Sequence, residues 1–236
     1  MGSQGALIYH LGIALTFESP GGRCLKLTLT MGLLLGLSIH AYAGAHEYLE
    51  SRSLEQAFEQ LKDKPVDYTN TGSVCEELAL LEFQDMFPDH RYQLFKGLIY
   101  TNGSRVLGEL DLVVFDMDRD DEGANLVGEV KCSRSVSSAL SKAHEQLSRF
   151  KRYIDQGGYL EIYQATNPSR FFDVERFQGI AHLATVSFQG TVARGFDYQI
   201  PFDLAATQKL RNRLLDCQNR GECPRPFAVD PALQNL

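Results

Sequence analysis

The sequence predicts an α/β fold: one mixed central sheet flanked by helices, in the order helix, three strands, helix, strand. Two observations carry this. Apolar residues recur at helical spacing before and after a block of three strand-like segments, and that block leads through a short acidic loop into the motif-bearing strand. A further strand after the second amphipathic segment completes the pattern of helices laid on a sheet.

The elements follow in order. His46 to Asp63 places Leu49, Leu54, Phe58 and Leu61 near one helical face, and Lys64-Pro65 ends it. Gly72-Ser73 opens a second helix, with Ser73 as N-cap and Glu76 as its capping-box partner, running to about Met86 before Pro88. Tyr92 to Tyr100, Val106 to Asp116 and Asn125 to Cys132 read as strands, the last two joined by the acidic, polar loop Met117 to Gly123. Val136 to Gln156 is a long amphipathic helix carrying Leu140, Leu147, Phe150 and Ile154, closed by Gly157-Gly158. Tyr159 to Ala165 is a strand, and Ser169 to Phe177 a short helix or loop. Strands near Ala181–Phe188 and Ala193–Ile200 and a helix from Asp203 to Leu215 complete the chain.

Length and composition bound the possibilities. With 236 residues, 44% of them hydrophobic, the chain can bury the core of one domain with a small appendage. Its formal charge of −7 argues against a protein that coats nucleic acid with its whole surface, because phosphate neutralisation favours a basic one. A local basic patch or bound metal ions must then mediate any contact with phosphate.

The N-terminus reads as targeting sequence. Leu27 to Ile39 is apolar and uncharged, follows Arg23 and Lys26, and leads into Ala41-Tyr42-Ala43, a small-x-small cleavage pattern. Its 13 residues are too few for a comfortable span, which takes roughly 20. Residues 1–43 are thus expected to be a signal peptide, with 1–24 an over-extended start if Leu25 marks the true initiator. The expected destination is the periplasm or the exterior, or the cytoplasm if no such peptide operates. Cleavage leaves Cys75, Cys132, Cys217 and Cys223, an even number that permits disulfides. Cys217 and Cys223, close in DCQNRGEC, are the favoured pair; Cys75 and Cys132 form either a second bridge or two buried thiols.

The chemistry lies in Leu107-Gly108-Glu109-Leu110-Asp111-Leu112-Val113-Val114-Phe115 and Leu126-Val127-Gly128-Glu129-Val130-Lys131. Alternation along a strand projects Glu129 and Lys131 from one face, and Asp111 can join them from the neighbouring strand. Charges among Val and Leu are costly unless paired or metal-bound. Two adjacent carboxylates repel, and a divalent cation relieves that repulsion while activating water and polarising a phosphate. A neighbouring lysine can orient the water or offset transition-state charge.

Gly72 to Phe83, Gly108 to Phe115, Gly128 to Ser133 and Gln146 to Tyr153 resemble successive motifs of the PD-(D/E)XK nuclease superfamily, over about Gly72 to Ala165. The resemblance implies an αβββαβ, restriction-endonuclease-like core, Mg²⁺ dependence with Mn²⁺ as a substitute, and hydrolysis of phosphodiester bonds in nucleic acid, with DNA the expected partner. It makes Asp111 and Glu129 metal ligands and Lys131 the catalytic lysine. Glu76 becomes the acidic residue of the first helix, with Glu77 as rival, and Gln146 the glutamine of the later helix. Phe150 stands where a tyrosine often follows that glutamine, and the motif's leading proline is missing before Asp111. The implied organisation is a signal peptide over 1–43, an N-terminal helix and linker over 44–71, a nuclease-like core over 72–200, and a C-terminal helix and tail over 201–236.

Simpler readings stand beside these. Asp111, Glu129 and Lys131 could be a cross-strand salt bridge in a non-catalytic exported binding domain. Glu76 could serve only the capping box, Gln146 be a surface amide, and Glu109 a solvated edge charge. Lys142, Arg149, Lys151 and Arg152 either contact phosphates or form a solvated face. Asp116, Asp118, Asp120, Asp121 and Glu122 read as a soluble hairpin loop rather than a calcium loop.

Overall fold

One long antiparallel ribbon organises this protein. The computed structural model describes residues 53–119 and 122–226, so the expected signal peptide, the start of the first helix, the centre of the acidic loop and the end of the tail lie outside it. The first arm of the ribbon comprises β1 (Tyr92–Phe95) and β2 (Leu98–Asn102); the second comprises β3 (Arg105–Leu110) and β4 (Leu112–Asp116). Phe95 pairs with Val113 and Leu98 with Leu110, so counting inward from both sides puts Gly97 opposite Asp111 without a slip in register. Each arm bends at that level and passes from one sheet to another. The sequence predicted unbroken strands over Tyr92–Tyr100 and Val106–Asp116, and the bend divides both.

The bend has a physical cause. Phe95 and Leu98 both enter the same core, as do Leu110 and Val113, although a straight strand would send each of these pairs to opposite faces. The alternation must slip at Lys96-Gly97 and at Asp111. Gly97 makes the slip with a φ of +64°, which a side chain would resist.

The larger sheet has five strands in the order β1-β4-β5-β8-β9, with β5 at Ala124–Val130, β8 at His182–Ser187 and β9 at Tyr198–Gln199. It is mixed: β1, β4 and β5 run antiparallel, while β5-β8 and β8-β9 are parallel. The second sheet, antiparallel in the order β3-β2-β6-β7, adds β6 (Glu161–Gln164) and β7 (Asn167–Phe172). An α/β protein with a mixed sheet between helices is therefore observed, with a second sheet that the sequence reading did not foresee.

Among the described residues four α-helices clothe the sheets: α1 (Leu54–Leu61), α2 (Thr71–Met86), α3 (Val136–Asp155) and α4 (Leu204–Asn219). Leu112, Val114, Leu126 and Val130 turn one face of the larger sheet toward a core shared with α1, α2 and α4. Val113, Phe115 and Val127 turn the other face toward the second sheet and the Leu147, Phe150 and Ile154 stripe of α3. Tyr100, Phe150, Phe177 and Phe115 stack edge to face in sequence through this second core.

Several local expectations are corrected. Asn70 caps α2, its side chain accepting the amide of Ser73, so the expected Ser73–Glu76 capping box does not form and Glu76 is released from that role. The capping box lies instead on α1, between Ser53 and Gln56. The stretch expected as a short helix or loop, Ser169 to Phe177, is mostly the exposed edge strand β7 and a single 3-10 turn at Val174–Phe177. The strand expected over Ala193–Ile200 shrinks to the two residues of β9, after a 3-10 turn at Val192–Arg194.

Two disulfides are present, Cys75–Cys132 and the anticipated Cys217–Cys223. Both are compatible with an exported protein. Among the described residues, no helix is long and apolar enough to cross a membrane.

Candidate active site

The charged centre forms where the ribbon bends beside β5. Pairing of β4 with β5 ends at Leu112 and Gly128, so Asp111 lies directly across from Glu129. Beyond that point Val130 has no strand partner on this side, and its amide donates to Asp111 Oδ2 at 2.8 Å. The parallel partner β8 carries the motif strand onward: Lys131 N–H donates to the Val186 carbonyl, and Ser187 Oγ donates to the Lys131 carbonyl at 2.7 Å. With its backbone held, Lys131 directs its ammonium back over the strand, 2.9 Å from Asp111 Oδ2 and 2.7 Å from Glu129 Oε2. The three side chains predicted from sequence do meet. The two carboxylates share one ammonium.

This cluster is largely withdrawn from water. Glu129 is fully buried and Asp111 nearly so. Burial first, and the Asp111 charge second, push the Glu129 carboxyl up to about 8, against the opposing pull of Lys131. Its Oε1 is buried with no hydrogen-bond partner. Burial draws the Lys131 ammonium downward, but the Asp111 and Glu129 charges outweigh it and hold Lys131 above the ordinary lysine range.

Glu76 approaches from α2. It is half-buried, and burial together with the Asp111 charge lifts its carboxyl to about 7, while Lys96 pulls the other way. Its rival Glu77 has a different employment: fully buried, it forms ion pairs with Lys64, at 3.0 Å, and with Lys96. Glu109 also belongs to the field of the site. Although its surface is open to solvent, crowding around its carboxyl and the Asp111 charge raise it above the ordinary range. Gln146 sits half-buried on α3 and takes no part in the cluster's hydrogen bonds.

The chain gives no match to any protein-family model, curated protein or solved structure.

Sequence reasoning missed Lys96 and Arg149's particular place. Lys96 lies at the bend next to Gly97, and the signal was there in a Lys-Gly pair interrupting the apolar run Leu94 to Tyr100. Arg149, one of four basic residues anticipated on α3, touches the hydroxyl of buried Tyr100, which also feels the Glu129 charge; its Nε is buried without a partner. Of its companions, Lys151 pairs with Asp155 along the helix, and Lys142 and Arg152 are exposed. In the acidic loop Asp116 is buried and held by Arg91 through two hydrogen bonds, so it is a structural anchor.

A metal can be tested against this donor set. Among the described residues no three His, Cys, Asp or Glu side chains form a ready cage. Mg²⁺ ordinarily takes one or two carboxylates and completes its shell with water and substrate phosphate, which is what Asp111 and Glu129 can offer. The unpartnered Glu129 Oε1 is a free hard-oxygen donor. Charge agrees: Glu76, Glu77, Glu109, Asp111 and Glu129 face Lys64, Lys96 and Lys131, leaving two negative charges when all are ionised. One divalent cation neutralises that excess.

Proposed function

We propose that this protein is a Mg²⁺-dependent phosphodiesterase of the restriction-endonuclease-like kind, acting on nucleic acid and by expectation on DNA. The observation that carries the reading is the buried Asp111–Glu129 pair bridged by Lys131, with one Glu129 oxygen unpartnered. The order of elements also supports it: α2, two ribbon arms, the motif strand β5, the crossover helix α3, then β8 parallel to β5. The strand expected to complete that core, Tyr159–Ala165, joins the second sheet as β6 instead, and β8 occupies the place beside β5.

Asp111 and Glu129 would hold the cation, which supplies Lewis acidity to a phosphate and a lowered pKa to a coordinated water. Lys131, adjacent to both carboxylates, would offer its ammonium to the negative charge that grows on a phosphate during displacement. Glu76, held near the ionisation midpoint of neutral solution, can accept a proton from the attacking water. The withdrawn setting of the pair strengthens each of these interactions. Export from the cell is part of this reading, with the two disulfides in support.

The test is cleavage of plasmid DNA by protein beginning at residue 44, with Mg²⁺, Mn²⁺ or chelator. Nicking with either metal and none with chelator is expected, and Asp111→Ala and Lys131→Ala should each lower the rate by about 100-fold or more. Undiminished cleavage by both variants refutes the assignment. A non-catalytic domain, in which the cluster is only structural, predicts no metal binding in calorimetry.

A further inference from the structure

We propose that the Cys75–Cys132 disulfide positions Glu76 against the Lys131 end of β5, so that the metal affinity of the site depends on the oxidation state of that bond. The inference rests on the hydrolytic reading above and adds its regulation. Each cysteine is the chain neighbour of a site residue: Cys75 precedes Glu76 on α2, and Cys132 follows Lys131. Among the described residues this is the covalent link between the helix that brings Glu76 and the strand that brings Glu129 and Lys131. It joins residues 57 apart in sequence across a Cα–Cα distance of 6.3 Å.

The apolar face of α2 shares a core with Leu112, Leu126 and Val130 and keeps the body of the helix on the sheet. At its own turn Glu76 lies in the field of the like charges Asp111 and Glu109 and of the opposite charges Lys96 and Lys131, which together fix no single position for it. The Asn70 cap acts within α2 itself. Glu77 anchors α2 through Lys96 and Lys64, toward the bend of the ribbon and the α1–α2 connection rather than toward β5. With the bond open, the Glu76 turn of α2 is no longer tied to the Lys131 end of β5, and the metal site can lose a neighbouring acid.

The bond can be reached from one side. Cys75 is fully buried, whereas Cys132 is half-exposed. A thiolate of an external dithiol attacks Cys132 Sγ and expels the Cys75 thiolate. The reductant's second thiol resolves the mixed disulfide, leaving two cysteine thiols and an oxidised reductant. A disulfide oxidant of the thiol–disulfide oxidoreductase class accepts the same two electrons in reverse. The site would thus be slack in a reducing cytoplasm and tighten in an oxidising compartment, which protects the nucleic acid of the producing cell.

The full chain tests this. Mn²⁺ binding by calorimetry and plasmid cleavage across a Mg²⁺ series are measured on oxidised protein, protein reduced with dithiothreitol, and the double variants Cys75→Ala/Cys132→Ala and Cys217→Ala/Cys223→Ala, with fold followed by far-ultraviolet circular dichroism. Reduction and the first variant should raise the half-activating metal concentration about tenfold or more, with most of the rate recovered at saturating metal. The second variant should behave as wild type, including its response to reductant. Equal metal dependence in oxidised and reduced folded protein overturns the proposal. Collapse of the fold in both the reduced protein and the first variant overturns it too, since the bond is then only a staple. If oxidised wild type neither binds metal nor cleaves, the hydrolytic reading fails and this inference falls with it; robust cleavage with an unmoved metal dependence defeats this inference alone.

Discussion

Glutamine at position 129 separates what the site costs from what it does. In the folded protein the Glu129 carboxyl is held near 8 by burial and by Asp111, against 4.5 for an unhindered glutamate. An acid raised on folding binds its proton more tightly in the native state, so its contribution to stability is fully present below pH 4.5 and lost as pH climbs through 8. At about 1.4 kcal/mol per pH unit, the displacement is worth on the order of 5 kcal/mol. Glu129→Gln keeps the shape and removes the titration, although Lys131 gives up one of its two carboxylate partners. In urea denaturation with chelator present, wild type should lose roughly 3–4 kcal/mol more than the variant between pH 5 and pH 9. At pH 9 the variant should be the more stable protein. Saturating Mg²⁺ should stabilise wild type more than the variant, which keeps only the Asp111 carboxylate as a ligand. Parallel pH profiles of stability for the two proteins would refute the account of Glu129 as a buried, strained charge.

Further expectations concern the scaffold. Gly97→Ala must adopt a φ of +64° with its Cβ 3.2 Å from Glu109 Oε1, so thermal unfolding should show a loss of about 1–2 kcal/mol, and the Mg²⁺ requirement should rise because Gly97 faces Asp111 across the ribbon. Asn70→Ala removes the acceptor for the Ser73 amide and should cost about 1 kcal/mol in chemical denaturation, while Asn70→Asp should cost little. Phe150→Ala, deleting a fully buried ring packed on Tyr100 and Phe177, should destabilise by about 3–5 kcal/mol.

How far the sequence could be read differed between site and scaffold for physical reasons. Glu129 and Lys131 were legible because strand alternation is a local property, and an acid and a lysine two residues apart must share a face. Asp111 was legible as a charge inside an apolar run, but its position at a bend was not. On either side of the slip at Lys96-Gly97 and Asp111 the flanking residues Leu94, Phe95, Leu98, Leu110, Leu112 and Val113 are all apolar, so no periodicity marks it. The second sheet was hidden for the same reason. Ser73 looked like a helix cap because serine with an acid three residues on is a common local signature; Asn70, earlier in the chain, took the role first and lengthened the helix by one turn. The Cys75–Cys132 bond joins α2 to the end of the motif strand, a tertiary proximity that spacing alone could not supply.

The shared ribbon has a consequence for how the molecule opens. Because the same two arms supply strands to both sheets, neither sheet can detach while the other keeps its edges. Fraying that begins at β7 or β9 should halt at the ribbon, whose rupture would dissolve both interiors together. Amides on either side of the bend, such as those of Val113 and Leu98, belong to one cooperative unit. The charged corner is thereby built into the last part of the chain to come apart, and not into a peripheral segment that breathes on its own.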